Sequence, residues 1–257
     1  MARAMTKPAM SATEAAEDRL FDGMERPWAS RALAAVIGLA HLAVSARILD
    51  QSNAGLLVAL GKERGPLLLR RAGAMWAPAV DQGELWRLFT SVFLHGSGLH
   101  LLLNGMALLG VGPLVEGIYG PVRLWWVFVA GGVFGAALSW VAGIPLTEGA
   151  SGGIFALLGA AFTFAFRHGG DLPAALMASL RRRLALWIAF NLGVGLLLPF
   201  VNNVAHGGGL VVGLILGMAM DSAAATGQPP DRRVSAALVG LMLLLAGWGL
   251  WGISTKW

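Results

Sequence analysis

The chain has 257 residues, 56% of them hydrophobic and 13% charged, with a formal net charge of +5 and no cysteine. An ordinary soluble domain carries about 25% charged residues, so the bilayer is the expected solvent. The lack of cysteine excludes a disulfide framework and a thiolate site. The basic residues are scattered between apolar runs and read as topology signals, not as a nucleic-acid face.

In chain order, residues 1–30 mix both signs and contain no apolar signal-peptide core; a mobile or surface-lying extension is expected. A spanning helix needs about 20 mostly apolar residues. The charge-poor runs place seven, at about 31–49, 99–116, 121–142, 150–167, 184–200, 203–220 and 234–254. Between the first two lies a long mixed loop with the basic insert "GKERGPLLLRR". The run Leu184–Met220 is too long for one span and is divided at "PFVNN" (Pro199–Asn203), which reads as a tight turn. The expected fold class is therefore an all-α polytopic membrane protein.

Loop charge sets the orientation. The loop 167–183 carries Arg167, Arg181, Arg182 and Arg183, and the loop 221–233 carries Arg232 and Arg233. The positive-inside rule puts both loops, and with them the amino terminus, in the cytoplasm. The fourth and sixth spans then both run inward, so Ser151 and His206 lie at similar depth near the outer face.

Glycine costs roughly 1 kcal/mol against alanine inside a helix, yet Gly149, Gly152 and Gly153 surround Ser151. At 100° per residue, His206, Gly209, Gly213 and Gly217 fall within about 60° of one another on the sixth span. Small residues four apart let helix backbones approach closely, so the two spans are expected to touch and bring the serine to the imidazole. A serine needs an adjacent base, most often histidine. No Asp or Glu lies in the fourth, fifth or sixth span to complete a triad, and Glu148 could at most visit from the loop. A Ser151–His206 pair is the economical reading. The plainer alternative makes Ser151 a packing residue and His206 a satisfied polar group, against which stands the cost of an intramembrane histidine.

His100 and Asn104, at i and i+4 on the second span, share a face level with Ser151. They could stabilise an oxyanion or serve as interhelical hydrogen bonds. His95 reads as structural. His95, His100 and His206 lack a suitably spaced carboxylate and there is no HExxH, so neither a metal nor another cofactor is expected.

Three stretches carry a resemblance. "ELWRLFTSVFLHGSGLHLLLNGMALLGVGPLVEGIYG", "GASGGIFALLGA" and "AHGGGLVVGLILG" resemble, in the right order, the signature regions of the rhomboid intramembrane serine proteases, over about residues 80–220. The resemblance implies a six-helix protease core at 31–220, preceded by a cytoplasmic extension at 1–30. A cytoplasmic linker at 221–233 and an additional transmembrane helix at 234–257 would follow. It implies Ser151 as nucleophile and His206 as base, with no acid. His100, Asn104 and the Ser151 backbone N–H would form the oxyanion hole. Trp86 and Arg87 match a Trp-Arg pair in the first loop, and Glu116 matches a glutamate that tethers that loop. Read alone, Glu116 is a costly buried charge with Arg87 as candidate partner. Gly209 and Gly213 match the close contact of the sixth helix with the fourth. Phe155 stands where family members often have tyrosine; it can stack on His206 but donates no hydrogen bond.

The implied activity is that of a serine-type endopeptidase. It would hydrolyse a peptide bond in or beside the transmembrane helix of single-span substrates, near the outer face. The lipid bilayer is its medium, nucleic acid is not a partner, and the oligomeric state stays open. The Ala, Gly and Arg bias of the composition points to a bacterial cytoplasmic (inner) membrane, and the loop charges put the amino terminus on its cytoplasmic side. The loop near Pro199–Asn203 is expected to cap the site. A catalytically dead relative would have lost the serine or the histidine, and both are present. A transporter would call for ionisable residues along a path, whereas the polar residues here cluster at one depth.

Overall fold

The computed structural model describes residues 11–51, 60–61, 64–168, 172–198, 201–228 and 230–255. Part of the expected extension (1–10), Lys62 of the basic insert and Pro199 of the expected cap lie outside the described residues. In chain order the elements are α1 (Ala12–Glu25), α2 (Trp28–Gln51), α3 (Pro66–Ala72), β1 (Met75–Trp76), α4 (Ala77–Asp81), α5 (Trp86–Thr90), α6 (Gly98–Tyr119), α7 (Pro121–Val141), β2 (Leu146–Thr147), α8 (Ser151–Arg167), α9 (Ala174–Leu197), α10 (Asn203–Ala219), α11 (Ala223–Thr226) and α12 (Arg232–Ser254). A 3-10 turn at Ser91–Phe93 joins α5 to the approach to α6.

The seven expected spans correspond to α2, α6, α7, α8, α9, α10 and α12. Among the described residues, five helical segments are long and apolar enough to cross a membrane: Trp28–Arg47, Gly98–Tyr119, Pro121–Val141, Asn203–Thr226 and Arg232–Ser254. The shorter α8 is the hub. It packs against α6, α7, α9 and α10, and most of its side chains are buried. Large apolar side chains face outward elsewhere: Leu196 and Leu197 on α9 are each 81% exposed, and Leu243, Leu244 and Leu250 of α12 are exposed too. A surface this apolar belongs in lipid. The molecule is an all-α, multi-pass membrane protein.

Two boundaries differ from the sequence reading. The described part of the extension is a docked helix. Ser11 and Glu14 form a capping box at its start, Ala16 and Leu20 are buried, and Arg19 Nε donates to the Ala224 carbonyl at 2.9 Å. The fifth span begins at Ala174, not near 184, so Arg181, Arg182 and Arg183 lie within α9. A long cationic side chain near a helix end can lay its stem on the apolar surface and carry its head outward. Arg181 does so: its guanidinium lies over the Phe166 ring, 5.2 Å from the centroid, and donates to the Ala165 carbonyl at 3.0 Å. At the same end of the bundle Arg167 donates to the carbonyls of Gly217 (3.0 Å) and Met220 (2.8 Å), and Arg123 to that of Asp221 (2.6 Å). Cations are favourable on the last carbonyls of a helix, here those of Ala165, Gly217 and Met220.

At the opposite end, β1 and β2 pair antiparallel, Met75 with Thr147 and Trp76 with Leu146. This two-residue ladder ties the first loop to the segment that leads into α8.

Candidate active site

Ser151 is the first residue of α8. Its approach turns through Gly149, whose φ of +125° lies in a region that L side chains rarely adopt. The Gly149 N–H is held by the Ser91 carbonyl at 3.0 Å. A helix start leaves its first N–H groups without intrahelical partners, and the macrodipole makes that end positive. Both features favour negative charge beside Ser151.

From α6, His100 and Asn104 converge on this turn. A Cβ on Gly149 would lie 2.9 Å from His100 Cε1, 3.0 Å from its Nε2 and 3.9 Å from Asn104 Nδ2. Glycine is thus required there both by φ and by space. Ser97 starts α6 by accepting the His100 N–H at 3.2 Å, which fixes the backbone that carries His100.

From the other side comes His206, in the first turns of α10. Its ring stacks on Phe155, centroids 4.4 Å apart and planes 15° from parallel. Phe155 is at i+4 from Ser151, so the two share a helix face, and His206 lies against that face. His206 Nδ1 is buried with no hydrogen-bond partner among the described residues, so stacking orients the ring here. The two helices meet at this level, where a Cβ on Gly152, next to Ser151, would lie 3.4 Å from the carbonyl oxygen of Ala205, next to His206; no hydrogen bond between Ser151 and His206 is present among the described residues.

The approach of α10 to α8 depends on glycine. A Cβ on Gly209 would overlap the Gly152 carbonyl oxygen and lie 2.7 Å from its carbon, and one on Gly213 would overlap the Ala156 carbonyl oxygen. Asn202 sets the start of α10. Its Oδ1 accepts the N–H groups of Val204 and Ala205 at 3.1 Å each. Its Nδ2 donates to Ser139 Oγ at 2.8 Å and Thr147 Oγ1 at 3.0 Å. One side chain therefore joins α10, α7 and β2. The run Pro199–Asn203 reads in sequence as a turn, and asparagine before an apolar helix is in addition an N-cap signal.

The remaining expected residues separate. Trp86 and Arg87 are buried in α5. Arg87 binds Glu84 Oε2 at 2.6 Å and the carbonyls of Arg70 (2.5 Å) and Ala74 (3.1 Å), so it folds the first loop onto itself. Among the described residues Glu116 pairs neither with Arg87 nor with any other group of that loop. Its carboxylate accepts the Ala29 N–H (3.0 Å), the Ser30 N–H (2.9 Å) and the Ser30 hydroxyl (2.7 Å). It sits at the opposite end of the bundle, capping the start of α2, whose first N–H groups have no intrahelical partners.

A second polar group, missed in the sequence reading, flanks His100. Arg64, from the basic insert, is buried. Its guanidinium reaches His41 Nδ1 at 2.6 Å and donates to the His41 carbonyl at 3.0 Å and Ser45 Oγ at 2.6 Å. It also donates to the His95 carbonyl, and its backbone N–H donates to the Gly96 carbonyl at 2.7 Å. Burial lowers Arg64 only to about 10, so it stays cationic. His95 meets His100 edge to face at 4.9 Å, and burial, with His100 next in importance, drives it down to about 2, so it is neutral. Glu148, three residues before Ser151, is pushed up to about 7 by burial.

Comparison with known proteins bears on this arrangement. A family model describing the rhomboid domain matches residues 82–222. The chain is 33% identical over 174 residues to "Rhomboid protease GluP" of Bacillus subtilis, covering 68% of this chain and 32% of that protein. It is 36% identical over 155 residues to "RHOMBOID-like protein 5" of Arabidopsis thaliana, covering 59% and 49%. "Rhomboid-like protease 5" of Toxoplasma gondii is 34% identical over 141 residues, covering 54% and 16%. The chain thus spans half or less of the length of these relatives.

Proposed function

The chain belongs to the rhomboid family, and on that premise we propose that it is an intramembrane serine endopeptidase with Ser151 as nucleophile and His206 as general base. His206 takes the Ser151 hydroxyl proton as Oγ attacks the scissile carbonyl. The oxyanion accepts hydrogen bonds from the Ser151 N–H, Asn104 and His100. His206 then protonates the leaving amine, and water hydrolyses the acyl-enzyme. The observation that carries the reading is convergence: His100 and Asn104 meet the Gly149 turn from α6, while His206, stacked on Phe155, meets the Ser151 face from α10.

Depth supports a site within the bilayer. From Ser151 to Arg167, α8 rises about 24 Å at 1.5 Å per residue, against a hydrocarbon core of about 30 Å. With Arg167 at one boundary, Ser151 sits roughly 6 Å inside the other. The basic end would face the cytoplasm and the site would open toward the outer face, as the loop charges imply. A helical substrate hides its carbonyls in hydrogen bonds that lipid will not replace. Single-span substrates with helix-breaking residues near the outer face would therefore be favoured.

The test is cleavage of a single-span substrate reconstituted with the protein in vesicles. Wild type should cut it, and Ser151→Ala and His206→Ala should each lose cleavage while keeping the wild-type melting temperature, because the pair acts as a unit. Wild-type rates from Ser151→Ala would overturn the reading.

A further inference from the structure

We propose that Glu148 is a positioning residue that sets which ring nitrogen of His100 carries the proton, and thereby makes the oxyanion site respond to pH. The inference rests on the protease reading above. Its geometry is independent of that reading.

The two nitrogens of His100 face different surroundings. Nε2 and Cε1 point at the Gly149 turn that leads into Ser151. Nδ1 points away from it, 3.8 Å from Glu148 Oε1. The carboxyl is held there by a place made for it: a Cβ on Gly96 would lie 2.8 Å from the same oxygen, so glycine at 96 lets the carboxyl rest on the backbone. The Glu148 side chain is only 18% exposed. A carboxyl shift of about 1 Å brings Oε1 within hydrogen-bond range of Nδ1.

A neutral imidazole carries one N–H and one lone pair, and the partner of one nitrogen fixes the state of the other. When Glu148 is protonated, its O–H donates to Nδ1, the ring proton resides on Nε2, and Nε2–H points at the oxyanion. When Glu148 loses its proton to water, the carboxylate accepts from Nδ1–H. The ring proton has then moved to Nδ1, and Nε2 turns a lone pair toward the developing negative charge. One proton leaves the pair, and one donor becomes an acceptor.

The other titratable and charged groups that face the pair are His95, Arg64, His41 and His206. His95, edge-on to His100, is neutral. Arg64 stays cationic behind it. His41 on α2 is engaged by Arg64 and the Leu60 carbonyl, and His206 on α10 lies against Phe155. Burial places the Glu148 transition near neutrality. Because the folded-state value is raised, the protonated form, and with it the Nε2–H donor, persists up to about pH 7 and is lost as pH rises through it.

The experiment compares kcat against pH for wild type and Glu148→Gln, with folding checked by melting temperature. Glutamine keeps the shape and donates an amide N–H to Nδ1 at every pH. Wild type should lose about 10-fold in kcat across the alkaline limb, with KM nearly constant, since one oxyanion donor among several is lost. Glu148→Gln should lack that limb. Independently of cleavage, the 15N signals of His100, assigned among the chain's five histidines by their absence in His100→Asn, should pass from the Nε2–H to the Nδ1–H tautomer between pH 6 and 8 in wild type and remain Nε2–H in Glu148→Gln. Coincident alkaline limbs, or a His100 tautomer that ignores both pH and Glu148→Gln, would overturn the inference and leave the protease reading intact. A wild type that cleaves at no pH would overturn both.

Discussion

Asn104 separates catalysis from mere packing at the scale of single residues. It is buried on α6, and its amide nitrogen points toward the Gly149 turn. If it donates to the oxyanion, its effect is felt when charge develops on the carbonyl oxygen, not when substrate binds. Asn104→Ala should therefore lower kcat by about 10- to 100-fold with little change in KM, below the roughly 100- to 1000-fold typical of removing one oxyanion donor in a soluble serine protease, because His100 and the Ser151 N–H both remain. Steady-state kinetics on folded enzyme decides this, and an unchanged kcat removes Asn104 from the site. Such residues were legible in the sequence because their chemistry is local: a serine among glycines, and a histidine and an asparagine one turn apart. Partners far apart in the chain were not. The carboxylate of Glu116 could be recognised as needing a partner, but only folding shows that the partners are the backbone of Ala29 and the N–H and hydroxyl of Ser30. Arg64 looked like one charge in a basic loop, and its burial against His41 and Ser45 has no signature in spacing.

Among the elements, the site depends on how closely α10 lies on α8. The contact at Gly209 and Gly213 is with the carbonyl groups of Gly152 and Ala156, not with side chains that could rotate away. Gly209→Val or Gly213→Val must therefore push the helices apart. Overpacking costs typically 1–3 kcal/mol, and the movement would carry His206 away from Ser151. Both variants should melt lower and cleave more slowly. Full activity with an unchanged melting temperature would show that the approach is not needed. The glycine stripe made this contact readable in advance, since a helix carries such a row only where a backbone comes near. Helix boundaries were less readable. The three arginines of α9 lower its hydropathy as a loop would, yet a helix end can carry them on snorkelling stems. The capping box of α1 was written in the sequence as Ser11 and Glu14, but docking of that helix through Ala16 and Leu20 was not evident from a segment rich in both charges.

At the level of the whole molecule, the seventh helix is part of the assembly that surrounds the first loop. Its Gly249 lies against Phe89 and Thr90, and its Gly252 against the Trp86 indole, so α12 braces the buried tryptophan next to Arg87. The chain has one end rich in arginine and one end that holds the site, and orientation follows from which end is cytoplasmic. Single cysteines can report this because the chain has none. With the positive end inside, Gln228→Cys should be shielded from an impermeant thiol reagent in intact cells, and Gln82→Cys should react. The reverse pattern would turn the site toward the cytoplasm. The central claim, that Ser151 is a nucleophile activated by His206, is tested most directly by labelling with a fluorophosphonate followed by peptide mapping. Wild type should carry the label on Ser151. Ser151→Ala should carry none, and His206→Ala should label far more slowly although its serine is intact, because a serine without its base is a weak nucleophile. Labelling of His206→Ala at the wild-type rate, or of any residue other than Ser151 in wild type, would contradict the account.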